Sequence, residues 1–177
     1  TVEDLNEYLY TYLKNLPTDE KYKLGIANSI WIKDDGSLEV KPDFLQTNAD
    51  YYDAAAYKAP FDDQTLVNIN DWVKNNTDGM IEKILDQIDP DMVMYLINAV
   101  LFDAEWQSQY DTGDITDGTF NAFDGTKETA KMMSSTENLY LDDGKATGFV
   151  KNYAGGKYSF AALLPNEVVS IDDYVAS

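Results

Sequence analysis

Apolar positions recur along this chain in distinct rhythms, and each rhythm predicts an element. Leu5, Tyr8, Leu9, Tyr12, Leu13 and Leu16 fall at helical spacing, which predicts a short helix over residues 3–16 that ends near Pro17. A second helical stripe, Leu66, Ile69, Val73, Met80, Ile81, Ile84 and Ile88, predicts a longer helix over residues 66–88, stopped by Pro90. The run from Met92 to Phe102 does not alternate. It predicts a strand covered on both faces, with one amide, Asn98, buried in its middle and Trp106 just past its end. A helix lying on such a strand suggests a sheet built to be opened, which points to a moving part and not to a reaction centre.

Shorter signals fill the remaining chain. Residues 24–32 read as a strand, followed by a turn at Asp34-Asp35-Gly36. Pro42 opens a helix over residues 42–51, with Phe44 and Leu45 as its anchors. Residues 54–59 form a weak strand. Residues 111–131 are polar and punctuated by Gly113, Gly118 and Gly125. Residues 138–164 read as a meander turned at Asp142-Asp143-Gly144 and Gly155-Gly156, and a further helix starts at Ile171. There is no internal repeat and no low-complexity linker.

Composition excludes several functions. The chain has 177 residues, enough for one domain with a core, and a formal net charge of −19. Its 13 cations are all lysines. That balance argues against nucleic acid, heparin and anionic membranes, which need clustered cations. It suits a solvated acidic surface. No apolar run is long enough to span a membrane as a helix. Cysteine and histidine are both absent, which removes disulfides, thiol chemistry, His-based metal sites and Ser-His-Asp triads from this chain. No cofactor, metal or enzymatic activity is expected.

Some residues invite two accounts. Asn98 is either a structural bond to a neighbouring element or a functional amide, and a buried amide without partners costs about 1–3 kcal/mol. Trp106 is either a core aromatic at a strand end or a functional one. Gly79 inside a helical pattern costs about 1 kcal/mol relative to alanine, which close packing of the helix over a sheet would explain. Asn75-Asn76-Thr77 matches an N-glycosylation sequon. Asp111, Asp114 and Asp117 invite a calcium reading, but an EF-hand-type loop would put its third ligand at Ile115, so a solvated loop is the better account. No spacing selects a carboxylate pair for glycoside hydrolysis. The tyrosines could form a sugar-binding face, but Tyr8, Tyr12, Tyr95 and Tyr158 sit at core spacing, so packing accounts for them better.

Two of these segments carry a family resemblance. Ile69-Asn70-x-Trp72-Val73-x-x-x-Thr77-x-Gly79-x-Ile81 resembles the helix F signature of serpins. Tyr95-Leu96-Ile97-Asn98-Ala99-Val100-Leu101-Phe102-x-x-x-Trp106-x-x-x-Tyr110 resembles the serpin strand that follows it, although the aromatic at Tyr110 is commonly Phe in the family. Leu24 to Ile32 is similar to the second strand of the main serpin sheet, and residues 54–59 then become its first strand. Phe120-x-x-x-Asp124-Gly125 with Met132-Met133 resembles two strands of the small third sheet. Tyr158 to Glu167 resembles a core strand of the second sheet.

The resemblance implies a serpin-like α+β fold over residues 1–177, from a helix D-like start to the beginning of a helix G-like region. It comprises part of a large mixed sheet under a helix, plus strands of two smaller sheets. No N-terminal serpin segment, alanine-rich hinge, reactive-centre loop or C-terminal strands are recognised, so an internal portion of a serpin is expected. Asn98 would lie in the shutter, where the large sheet parts, and Trp106 at the breach, where the reactive loop first enters. Asn70, Trp72, Thr77 and Gly79 would pack the helix F-like cover. The implied activity is covalent trapping of a serine or cysteine protease, in which an acyl-enzyme forms and the cleaved loop inserts as a new strand. The helix D-like segment offers only Lys14 as a cation, which argues against a heparin cofactor. An extracellular or cell-surface location is expected from the family alone. Residues 92–102 taken without their neighbours would present an apolar edge, so an isolated chain is expected to pair with the missing portion or to oligomerise. The alternatives are a non-inhibitory serpin-fold binding or structural protein and, further off, an acidic carbohydrate-binding domain.

Overall fold

The computed structural model describes residues 1–177, which form two compact units, Thr1–Asp103 and Ala104–Ser177. In the first, helix α1 (Val2–Lys14) is opened by a capping box: the Thr1 hydroxyl accepts from the Asp4 N–H, and Asp4 reaches back to the N-cap. Strand β1 (Tyr22–Lys33) leads to helix α2 (Pro42–Tyr52), with Pro42 in its first turn and Asp53 left-handed at its end. Strand β2 (Ala55–Ala59) then pairs parallel to β1, from Ser29↔Ala55 to Lys33↔Ala59. Parallel neighbours need a crossover, and α2 supplies it.

Helix α3 (Asp63–Asn76) follows, capped by Asp62, whose Oδ1 accepts from the Thr65 N–H at 2.9 Å. Strand β3 (Met94–Ala104) completes the sheet in the order β2-β1-β3. The core lies between α3 and this sheet. Ile69 and Val73 of α3 are wholly buried and cluster with Trp31, Ala59, Phe61, Ile97 and Ala99.

The structure departs from the sequence pattern in four places here. The helix expected over residues 66–88 stops at Asn76. Asp78 and Gly79 are left-handed, with φ of 50° and 79°, and the Gly79 N–H donates to the Lys74 carbonyl at 2.8 Å, which closes the helix end. Gly79 is therefore a stop signal; a Cβ there would meet nothing within 4 Å, so close packing does not explain it. Met80 and Ile84, assigned to the buried stripe, are exposed, while Ile81, Leu85 and Ile88 reach the core from an irregular segment. Second, β3 is covered on one face only. Ile97, Ala99 and Leu101 are buried, whereas Leu96 is 66% and Val100 52% exposed. Asn98 lies on that open face and is exposed, not buried. Third, Tyr8 and Tyr12 stack on each other on an open face of α1 and are not core residues. Fourth, Phe44 is exposed and does not anchor α2.

In the second unit, a single 3-10 turn (Thr112–Asp114) leads to the hairpin β4 (Ile115–Asn121) and β5 (Lys127–Met133). The aspartates read for calcium have local roles: Asp114 accepts from the Asp111 N–H at 2.9 Å, and Asp117 pairs with Lys131 at 2.6 Å. A meander follows: β6 (Leu139–Asp142), β7 (Ala146–Asn152) and β8 (Ser159–Pro165), all antiparallel in that order. Gly148 is required at its centre, because a Cβ there would lie 2.0 Å from the Ala162 carbonyl oxygen of β8. The strand expected at the core of a sheet, β8, is an edge in this chain, with Leu164 73% exposed. Helix α4 (Ile171–Val175) ends the chain, capped by Ser170.

Candidate functional site

Three separate groups of residues are candidates for function, two in the first unit and one in the second. The first is a chain of hydrogen bonds on the open face of the sheet. Asn98 Nδ2 of β3 donates to Asn28 Oδ1 of β1 at 2.8 Å. Asn28 Nδ2 donates to the Tyr52 carbonyl at the end of α2 at 2.8 Å, and the Tyr52 hydroxyl donates to Asn6 Oδ1 of α1 at 2.7 Å. Asn6 is buried. Asn98 thus ties its own strand to the next and begins a series of contacts that ends in α1. Asn28 lies within the Leu24–Ile32 motif with no role assigned to it there, and Tyr52 and Asn6 lie in no motif. The one available signal was Asn6 interrupting an otherwise apolar helix face.

The second group fixes α3 and its exit. Asn70 Oδ1 accepts from the Ile84 and Leu85 N–H groups at 2.9 and 3.0 Å, while its Nδ2 donates to the Leu85 carbonyl at 2.9 Å. One side chain therefore satisfies three backbone groups of the irregular segment and folds it back onto the helix. Thr77 is 1% exposed; its hydroxyl donates to the Val73 carbonyl and accepts from the Ile81 N–H. The sequon threonine thus serves the helix end. Trp72 packs against the core cluster. Asn70, Thr77 and Gly79 thus end the helix and redirect the chain, while Trp72 packs on the core.

The third group surrounds Trp106. Its indole stacks on Tyr153, with centroids 4.4 Å apart at 9°, and meets Phe160 edge-on at 5.9 Å. A backbone bridge pairs Trp106 with Tyr153. Beneath lies a residue the sequence reading passed over. Lys151 is 4% exposed; its Nζ is 2.6 Å from Glu137 Oε1, 4.6 Å from the Tyr110 ring centre and 5.6 Å from that of Trp106. Ser135 joins them, donating to Glu137 Oε1 at 2.7 Å and lying 3.2 Å from the Tyr110 hydroxyl. The Lys151 ammonium and the Ser135 hydroxyl hold the Glu137 carboxyl below its ordinary value. The same bond to Glu137 raises Lys151 above its own, against the opposing effect of burial. A lone lysine after Phe149 and Val150 in an apolar strand was the available signal.

None of the three groups gathers His, Cys, Asp or Glu side chains in a cluster that could hold a metal ion, and the contacts described hold strands and rings in place. The whole chain, residues 1–177, matches the family model described as serpin (serine protease inhibitor). It is 35% identical over 124 residues to Serpin-ZX of Arabidopsis thaliana, covering 67% of this chain and 31% of that protein. It is 31% identical over 147 residues to human neuroserpin, covering 79% of this chain and 34% of the other. The thermophilic serpin tengpin in its native state superimposes with a TM-score of 0.87 at 51% identity, over 99% of this chain and 45% of that one. The chain thus spans less than half the length of each of these three relatives. With a match along its full length and the same arrangement of helices and sheets, the chain belongs to the serpin family.

Proposed function

We propose that this chain forms part of an inhibitor that traps serine or cysteine proteases by loop insertion, with β3 as one lip of the gap that the loop enters. The observation that carries this reading is the state of β3. It is the last strand of its sheet, with α3 packed over one face, and its outer edge has no partner strand in this chain. Strand addition at an open sheet edge is a general recognition mode, and loop insertion in serpins is a known case of it. The acyl-enzyme would form at a reactive loop outside residues 1–177; these residues would supply the sheet that receives the loop. The apolar face with Leu96 and Val100 would be covered by other parts of the fold. On α1, Lys14 stands against Glu3, Asp4 and Glu7, which disfavours a sulfated polysaccharide as cofactor.

The test is to incubate the full-length protein with a panel of serine and cysteine proteases and to resolve the products on a denaturing gel. A covalent band resistant to SDS is expected. Cleavage with no such band across the panel would leave a non-inhibitory serpin-fold protein with a binding or structural role.

The shutter role of Asn98 has its own test. Asn98→Ala removes the bond to Asn28, at a cost of about 1–2 kcal/mol in the full-length protein, where the open face would be covered. A lower Tm and faster polymer formation on heating are expected, measured by calorimetry and native gels. An unchanged Tm together with an unchanged polymer rate would remove Asn98 from that role.

A further inference from the structure

Lys151 is placed at a cost that packing alone does not explain. It sits in β7 between Val150 and Asn152, nearly sealed from solvent, where an aliphatic side chain would need no charge partner. The groups around its ammonium come from two other stretches of chain. Glu137 and Ser135 come from the segment between β5 and β6, and Trp106 and Tyr110 from the segment that follows β3. Ser135 closes the circle by contacting both Glu137 and the Tyr110 hydroxyl. A cavity of about 430 Å³ adjoins the group, lined by Gln107, Tyr110, Ser135, Glu137 and Lys151 among others, so there is room for the Tyr110 ring to move if it is released.

We infer that Lys151 is a positioning residue for Trp106: its ammonium, gripped by Glu137, holds the Trp106 and Tyr110 rings and so resists opening of the structure beyond the end of β3. This rests on the loop-insertion reading for its consequence, but not for the contacts themselves. Two cation–π contacts to one buried ammonium are stronger than their exposed counterparts because little water competes for the charge. The bond to Glu137 keeps that charge in place, and the shifts in both groups follow from it: Glu137 stays ionised to lower pH, and Lys151 stays protonated to higher pH.

The experiment uses the full-length protein labelled with 5-fluorotryptophan, the Trp106 resonance being identified by its loss in Trp106→Phe. Lys151→Met keeps an unbranched side chain of similar length and removes the charge. It is expected to move the Trp106 resonance and to speed passage to the loop-inserted or polymeric form about tenfold. Lys151→Arg is expected to restore both, because it keeps the cation; a side chain that only fills space would not distinguish the two variants. If Lys151→Met does not fold, Glu137→Gln, at a more accessible position, is read out in the same two ways. A Trp106 resonance that stays put, an unchanged rate, or failure of Lys151→Arg to restore the parent values overturns the inference. If no protease forms a complex with the parent protein while the resonance and the polymer rate still respond as expected, the clamp stands and the inhibitor reading alone fails.

Discussion

Ile69→Ala is expected to destabilise the helix-on-sheet unit by about 2–5 kcal/mol. Ile69 is wholly buried and sits in the cluster with Trp31, Phe61, Val73, Ile97 and Ala99, so its truncation leaves a cavity against both the helix and the sheet. The surroundings can relax little, because the cluster holds two stiff aromatics, with Trp31 stacked on Tyr57 at 4.3 Å. The effect is read from denaturant unfolding, with the midpoint falling at unchanged m-value. Under the proposed function it has a second consequence. A cover that packs less firmly yields sooner, so loop insertion should quicken in the same variant. A stability change below about 1 kcal/mol would mean that α3 is not the main cover of this sheet.

Asn70→Ala is expected to release the segment that runs from α3 to β3. Three backbone groups lose their partner at once: the Ile84 and Leu85 N–H groups and the Leu85 carbonyl. At about 1 kcal/mol net for each bond, local stability should fall by about 2–3 kcal/mol. Hydrogen exchange at the Ile84 and Leu85 amides measures it directly, since both amides should lose protection together while the core amides of β1 keep theirs. Asn70→Asp separates the contributions: it retains the acceptor for both N–H groups and sets a carboxylate oxygen in place of the donor to the Leu85 carbonyl. Protection at Leu85 that survives Asn70→Ala would show that the apolar contacts of Ile81, Leu85 and Ile88 alone hold the segment.

The amphipathic repeat correctly placed Ile69 and Val73 on the buried face of a helix, because burial of one stripe is a local demand written every three or four residues. The same repeat overran the helix end. Ile81, Leu85 and Ile88 are needed by the core just as Val73 is, and an irregular segment can deliver them as well as a helix can. What ended the helix was backbone geometry at Asp78 and Gly79, together with the Thr77 hydroxyl, which hydropathy does not register. Asn70 was singled out by the family pattern, but its task, three bonds to residues fourteen and fifteen positions away, depends on a chain reversal that no spacing rule encodes.

The clusters of partners were the least legible. Asn98 stood out as an amide in an apolar run, yet its partner Asn28 is seventy positions away along the chain. Lys151 and Glu137 pass for ordinary surface charges in a chain with a net charge of −19, and nothing nearby in sequence marks them as a pair.

From the order of residues alone came the α+β class, the helices around Leu5 and Ile69, the strands, the turns of the meander and membership in the family. All of these are set by local preferences or by strings of adjacent residues. Folding in three dimensions settled the helix end at Asn76, the single covered face of β3, the Asn98–Asn28–Tyr52–Asn6 series and the burial of Lys151 against Trp106. Those features depend on which distant groups meet and on which surfaces lose water. Hydrogen bonds and burial are properties of meeting partners, so they become definite only when the chain brings the partners together.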